Sequence, residues 1–209
     1  MNIGIIGSGN VGSALASSAA RAGHRVIVSS SDVADAGELA RAVGGQAVLS
    51  NAEAVEQADI TFLAVPAAAV VDLVGELGAA ADGKVLVDVT NRPTPDPDSA
   101  SCTSIAEEIQ AKAPRARVIK AINTVFAARQ EDPTLGGRAA DGYVAGDDED
   151  AKALVLSFVE SIGMTPYDVG SLAVARTLEG MAWIHISLAM ANHWPWQSAW
   201  RIVGPKGES

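Results

Sequence analysis

The sequence predicts an α/β fold: a doubly wound, mostly parallel sheet with helices on both faces, followed by a C-terminal helical appendage. Three observations point there. An apolar run, Ile3 to Ile6, leads straight into the turn Gly7-Ser8-Gly9-Asn10-Val11-Gly12, and small residues at helical spacing from Ser13 to Ala22 follow it. Continuous apolar runs such as Ile60 to Val65 alternate with helical patterns, as expected of strands buried on both faces of a parallel sheet. The 209 residues are 48% hydrophobic but only 4% aromatic, so the core must be built from Ala, Val, Leu and Ile.

The first strand, glycine turn and helix, with a second strand at His24 to Val28, complete the ~30-residue βαβ unit in which G-x-G-x-x-G binds a dinucleotide. Gly7 lets the backbone turn sharply. Gly9 removes the β-carbon that would hold a diphosphate away from the amides, and Gly12 lets helix and strand approach closely. The architecture is therefore of the Rossmann type. After Ser29-Ser30-Ser31 a helix is expected from Ala34 to Val43, capped by Ser31 or Asp35 and ended by Gly44-Gly45. A short strand at Gln46 to Leu49 and a helical turn at Asn51 to Gln57 lead to the strand Ile60 to Val65, after which Pro66 opens a helix running to about Ala81.

Lys84 to Val89 is the next strand, ending in Thr90-Asn91. From Arg92 to Ser101 the composition shifts to Pro, Asp, Ser and Thr, a surface loop that is either a lid or a plain connection. A helix at Thr103 to Ala113 and a strand at Arg117 to Ala121 return the chain to the sheet. Gln130 to Asp141 reads as loop, Gly142 to Gly146 as strand, Asp147 to Gly163 as a helix with an acidic first turn, and Thr165 to Val169 as a last strand. Residues 1–170 thus form the dinucleotide-binding domain. Residues 171–209 form the appendage: an apolar helix from Leu172 to Asn192, whose polar exceptions are Arg176, Glu179 and His185, and a tail holding three of the four tryptophans.

Composition narrows the function. A net charge of −10 argues against nucleic acid or an anionic membrane as partner, since both need a basic footprint. Cys102 is the only cysteine, which excludes an intrachain disulfide and fits a reducing cytoplasm; it reads as an inert thiol or, less simply, a nucleophile. No segment has the length of a membrane span, so a soluble protein is expected. The three histidines, His24, His185 and His193, lack metal-ligand spacing, so no metal site is expected. His24 reads as structural, and His185 as a core or interface histidine or a proton donor.

In open α/β sheets ligands sit at the carboxyl ends of strands. The candidate positions are therefore Gly7 to Gly12, Ser29 to Ser31, Val65-Pro66, Thr90-Asn91 and Asn123-Thr124-Val125, read as one shared pocket. At the end of the second strand an acid would bind the ribose of NAD; here stand Ser29, Ser30 and Ser31, whose hydroxyls suit the 2′-phosphate of NADP, while Asp32 pulls the other way. No nucleophile constellation is visible, and the catalytic residues stay unassigned.

The opening glycine turn, the Val65-Pro66 pair, Asn123-Thr124-Val125-Phe126-Ala127, Val144-Ala145-Gly146-Asp147-Asp148 and Asp168-Val169-Gly170-Ser171-Leu172 occur here in an order that resembles the coenzyme F420-dependent NADP oxidoreductases, whose nucleotide domain is shared with the STEAP-type reductases. The resemblance implies direct hydride transfer between nicotinamide and a deazaflavin or flavin-like acceptor. It implies that Val65, Pro66, Val125 and Ala127 line the nicotinamide, that Ser30 and Ser31 meet the 2′-phosphate, and that Asn123, Thr124 and Phe126 lie on the acceptor side. It also implies a homodimer packed through the last helix. Two positions depart from the family: Ser31 and Asp32 stand where an arginine is common, and Phe126 stands where archaeal members have proline.

Two other readings compete. A dinucleotide-binding sensor without turnover would need no acid or base, and none is obvious here; a pyrroline-carboxylate or imine reductase shares the opening turn but carries a longer helical C-terminal domain.

Overall fold

The computed structural model describes residues 1–92 and 103–204. Cys102 and nearly all of the 92–101 loop, with its lid-or-connection alternative, lie outside the described residues.

The chain begins with β1 (Asn2–Ile6), α1 (Asn10–Arg21), β2 (Arg25–Ser29), α2 (Val33–Val43), β3 (Gln46–Ala47), α3 (Asn51–Gln57) and β4 (Ile60–Leu63). There follow α4 (Ala67–Leu77), β5 (Val85–Asp88), α5 (Ile105–Lys112), β6 (Arg117–Ala121), α6 (Ala127–Glu131) and a small hairpin of β7 (Thr134–Leu135) and β8 (Arg138–Ala139). The last elements are β9 (Asp141–Gly146), α7 (Glu149–Ser161), β10 (Thr165–Asp168) and α8 (Ala175–Ala191). Among the described residues the main sheet has eight strands in the order β10-β9-β6-β5-β4-β1-β2-β3. It is parallel from β3 to β6, where β9 pairs antiparallel to β6 and β10 continues parallel to β9. The chain leaves β1 in one direction through β2 and β3 and comes back to its other side as β4, so the topological switch lies between β1 and β4.

Both faces of the sheet are covered, and the strands alternate accordingly. Ile3, Ile5, Phe62, Val87 and Ile119 face Leu15 and Ala19 of α1, Ala40 of α2 and Phe158 of α7. Ile6, Leu63, Leu86 and Val118 face Val70 and Val74 of α4 and Ile109 of α5. Leu172 and Ala175, at the approach to α8, join this second layer.

Several expected boundaries move. Helix α1 begins at Asn10, so Asn10, Val11 and Gly12 are its first turn rather than part of the loop. Neither Ser31 nor Asp35 caps α2: the cap is Asp32, whose carboxylate accepts from the amides of Ala34 at 2.8 Å and Asp35 at 3.3 Å. Pro66 is the N-cap of α4 rather than its first residue. The segment read as loop from Gln130 to Asp141 carries the end of α6 and the β7–β8 hairpin, which turns on Gly136 and Gly137 at φ +60° and +75°. The final helix is regular only from Ala175, after a tight turn over Leu172–Val174.

Candidate dinucleotide and acceptor site

At the carboxyl edge of β1 the glycine turn is close-packed on one side and open on the other. Gly7 sits at φ +112°, and a β-carbon there would collide with the Ala64 carbonyl. A β-carbon on Gly12 would collide with the Gly7 carbonyl, so these two glycines bring α1 against the strands. Gly9 is different: a β-carbon there meets nothing within 4 Å. It is the N-cap of α1, makes no side-chain cap, and has no acidic residue in the turn that follows. The first amides of α1 therefore face open space with the positive end of the helix dipole behind them, an arrangement that suits an anion.

That space is a cavity of about 770 Å³ lined by Gly7, Ser8, Gly9, Ser30, Ser31, Val65 and Pro66, together with Asp32, Asp35 and a more apolar end at Leu49, Ala52, Leu73 and Leu77. Ser8 and Ser30 share a hydrogen bond of 2.9 Å that ties the first two strand ends together. Asp32, Asp35 and Glu76 are the ionisable residues of the lining, and no Lys or Arg stands among them. The volume and the open helix N-terminus suit an extended anionic ligand.

The expected strand-end residues fall on two of the cavities among the described residues. Those at the ends of β5 and β6 open on a second cavity of about 140 Å³, roofed by Ala182, His185 and Ile186 of α8. Asn91, Asn123, Thr124, Val125, Phe126 and Ala127 line it, as do Val11 from the first turn of α1 and Gln130. Four expected residues line neither of these cavities. Thr90 is buried and its carbonyl accepts from Lys120 Nζ. Asn10 is exposed on α1 and Gly12 packs against Gly7. Ser29 is buried and donates to Asn51 Oδ1 at 2.8 Å.

The second cavity is mainly apolar, with a tightly bonded group of polar side chains in its wall. Asn123 Nδ2 donates to Asn91 Oδ1 at 2.8 Å and to the Leu178 carbonyl at 3.0 Å, while Asn91 Nδ2 donates to the Asn123 carbonyl at 2.9 Å. His185 stacks on Phe126 with ring centroids 4.2 Å apart, and its ring nitrogens lie 3.2 Å from the Thr124 carbonyl and 2.7 Å from Ser198 Oγ. Burial pulls its pKa below the usual imidazole value, which leaves it neutral at pH 7. Trp196 meets Phe126 edge-on, with ring centroids 5.2 Å apart.

Beneath this cavity lies a charge cluster that sequence reading missed. Lys120 Nζ, fully buried, donates to Asp88 Oδ2 at 2.8 Å, Glu179 Oε1 at 3.1 Å and the Thr90 carbonyl at 2.6 Å. Asp88 Oδ1 accepts from the amide and hydroxyl of Thr90, and Glu179 Oε1 from the amide of Ile105. A signal was present: Lys120 and Asp88 each interrupt an apolar strand run, and Glu179 an apolar helix, and groups of opposite charge in such places must find one another. Among the described residues no group of His, Cys, Asp or Glu is placed to hold a metal, and no helix is long and apolar enough to cross a membrane.

Comparison with known proteins agrees with this geometry. Residues 2–92 match the family model described as NADP oxidoreductase, coenzyme F420-dependent. The F420-dependent NADP reductase of Methanothermobacter marburgensis is 33% identical over 215 residues, covering 92% of this chain and 94% of the relative. The metalloreductase STEAP3 of Rattus norvegicus is also 33% identical, over 86% of this chain, but the chain spans only 36% of that protein's length. A crystal structure from Arthrobacter sp. FB24, proposed as an F420-dependent NADP reductase, superposes with a TM-score of 0.80 at 28% identity, over 91% of this chain and 94% of that one. An imine reductase from Pseudomonas sp. superposes at 0.69 with 18% identity and shares the fold, this chain covering 63% of it. The identity and near-complete mutual coverage with the Methanothermobacter enzyme establish that this chain belongs to the coenzyme F420-dependent NADP oxidoreductase family.

Proposed function

We propose that the protein transfers hydride between a nicotinamide dinucleotide, with NADPH preferred, and a planar deazaflavin or flavin-like acceptor such as coenzyme F420. One observation carries the dinucleotide part: the first turn of α1 has no side-chain cap, and Gly9 opens it onto a cavity of about 770 Å³. When bound, the nicotinamide supplies the hydride. The chain's task is to hold two flat rings face to face, and for such a reaction position and orientation are the main catalytic terms. Val11, Val125 and Ala127 offer an apolar bed on one side of the second cavity; Phe126, His185 and Trp196 form an aromatic group beside it.

Ser30 and Ser31 meet the 2′-phosphate through hydroxyls. With no cation in the lining, the preference for NADPH over NADH is modest, of order tenfold or about 1.4 kcal/mol. We further propose a homodimer and a cytoplasmic home. Ile184, Leu188 and Met190 of α8, and Trp194 and Trp196 beyond it, are exposed, and a second copy would cover them. Light scattering on the intact chain tests this: a monodisperse monomer at micromolar concentration defeats it.

The enzymatic proposal is tested by mixing the protein and NADPH with F420, FMN, FAD, quinones and imines in turn while following the nicotinamide absorbance. Oxidation with F420 or a flavin is expected. Turnover with imines alone would make the protein an imine reductase, and binding without turnover would make it a sensor.

A further inference from the structure

We propose that Asn123 reads the carboxamide of the nicotinamide, its Oδ1 accepting a hydrogen bond from the carboxamide NH2, so that the residue belongs to the cofactor rather than to the acceptor. The inference rests on the dinucleotide reading of the site.

Three observations converge on this one side chain. Both hydrogens of Asn123 Nδ2 are already committed, to Asn91 Oδ1 and the Leu178 carbonyl, which fixes the orientation of the amide. Its Oδ1 has no hydrogen-bond partner within the chain although the residue is 6% exposed and lines the second cavity. An amide oxygen in that position can only accept, and leaving it unpaired is costly, so the matching ligand brings an N–H or O–H. The following residue, Thr124, lines the same cavity, and its Oγ1, on a residue 2% exposed, is also unpartnered and can donate. An acceptor and a donor offered to one cavity are the complement of a primary carboxamide, which carries N–H and C=O on one carbon.

The backbone agrees. Ile122, immediately before Asn123, sits at φ +61°, a conformation that β-branched residues avoid. It is fully buried, follows the anchored Lys120 by two positions, and its carbonyl accepts from the Val125 amide at 3.1 Å. Backbone strain of this kind persists where surrounding structure over-determines it, and it gathers at ligand-binding sites. Here it turns the chain sharply at the end of β6 and delivers Asn123 and Thr124 to the cavity. The imide edge of a flavin or deazaflavin has similar hydrogen-bonding chemistry. The nicotinamide is favoured because Val11, in the turn after Gly9, where the proposed function seats the diphosphate, lines the same cavity.

The test is calorimetric and needs no turnover. The full chain and its Asn123→Ala variant are titrated with NADP+, with the 3-acetylpyridine analogue of NADP+, in which a methyl group replaces the carboxamide NH2, and with 2′,5′-ADP, which lacks the nicotinamide half. We expect the natural sequence to bind NADP+ about tenfold more tightly than the analogue. Asn123→Ala should bind the two alike, at the weaker level, and 2′,5′-ADP should bind both proteins equally. Asn123→Ser, which also withdraws the amide oxygen, replaces the alanine variant if the latter does not fold. Equal affinity of the natural sequence for NADP+ and the analogue overturns the proposal, as does full discrimination retained in the variant. If neither NADP+ nor 2′,5′-ADP binds at all, the dinucleotide reading itself fails.

Discussion

Helices α1 and α2 begin at neighbouring strand ends and face the same cavity, yet their N-termini are built in opposite ways. At α1 the cap is Gly9, with no side chain to offer and no acid behind it. At α2 the cap is Asp32, whose carboxylate is bonded to the amides of Ala34 and Asp35. Each helix presents unpaired amides and a positive dipole end, and each favours a negative group there. One helix carries its own, and the other leaves the place to a ligand. The contrast separates two places inside one cavity: α1 leaves its N-terminus open to an anion, whereas α2 has its anion already, so under the proposed function a phosphate near Ser30 and Ser31 would be recognised by hydroxyls beside a fixed negative charge.

The largest effect should come from making α1 resemble α2. Gly9 has φ −73°, open to any residue, and space for a side chain, so Gly9→Asp should cap the helix and alter stability by only a few tenths of a kcal/mol. Dinucleotide affinity, measured by calorimetry, should fall at least about 100-fold, or ~2.7 kcal/mol, because the new carboxylate takes the diphosphate's place. Undiminished binding would mean that the glycine turn is only a turn.

The reverse change is smaller. Asp32→Ala should lose about 1 kcal/mol of stability with the cap, and Asp32→Asn, which still caps, should not. Both remove the charge, so both should raise the ratio of NADP+ to NAD+ affinity several-fold. A ratio unchanged in both variants would show that Asp32 is only a cap.

Ser30→Ala should be milder still. It breaks the 2.9 Å link to Ser8 and removes one hydroxyl from the phosphate end, at about 0.5–1 kcal/mol, felt more by NADP+ than by NAD+. Equal weakening of both dinucleotides would place its effect in the turn.

Helix α5 provides the control, a self-capped helix remote from the glycine turn. Its cap Ser104 and Glu107 form a capping box, and Arg176 bonds the same glutamate. The Arg176 guanidinium is the main cause that lowers the Glu107 pKa from 4.5 to about 2. A carboxylate depressed in the folded state stabilises above its unfolded value, and that contribution is lost as pH falls from about 4.5 toward 2. Glu107→Gln should therefore flatten the stability profile in that acidic window, read by thermal melts, and leave dinucleotide binding at pH 7 unchanged. An unaltered acid limb would mean that Arg176 holds the glutamate too loosely to matter.

The helix contrast also marks how far the sequence could be read. The βαβ unit was legible because its signals are local: glycines at fixed spacing, apolar runs on either side, and a helix pattern at once. The cap of α2 was not, since Ser31, Asp32 and Asp35 are all capable residues within five positions and only the backbone path decides among them. The β7–β8 hairpin escaped because strands of two residues leave no alternation to detect. The second cavity was only half visible. Its strand-end residues could be named, but its roof comes from α8, more than 50 positions later, and its arrangement of donors and acceptors depends on which amide faces which.

Asp88, Lys120 and Glu179 come from two strands and from the last helix, and they meet where water does not reach. Pulling α8 away would remove Glu179 from the cluster, break one of the two ion pairs that Lys120 makes, and expose the remaining Lys120–Asp88 pair. A terminal helix would ordinarily fray on its own and exchange its amide hydrogens quickly; this one is bolted to the middle of the sheet. The first turns of α8 should therefore exchange on the timescale of β5 and β6, making the roof of the second cavity part of the global folding unit instead of a hinged flap.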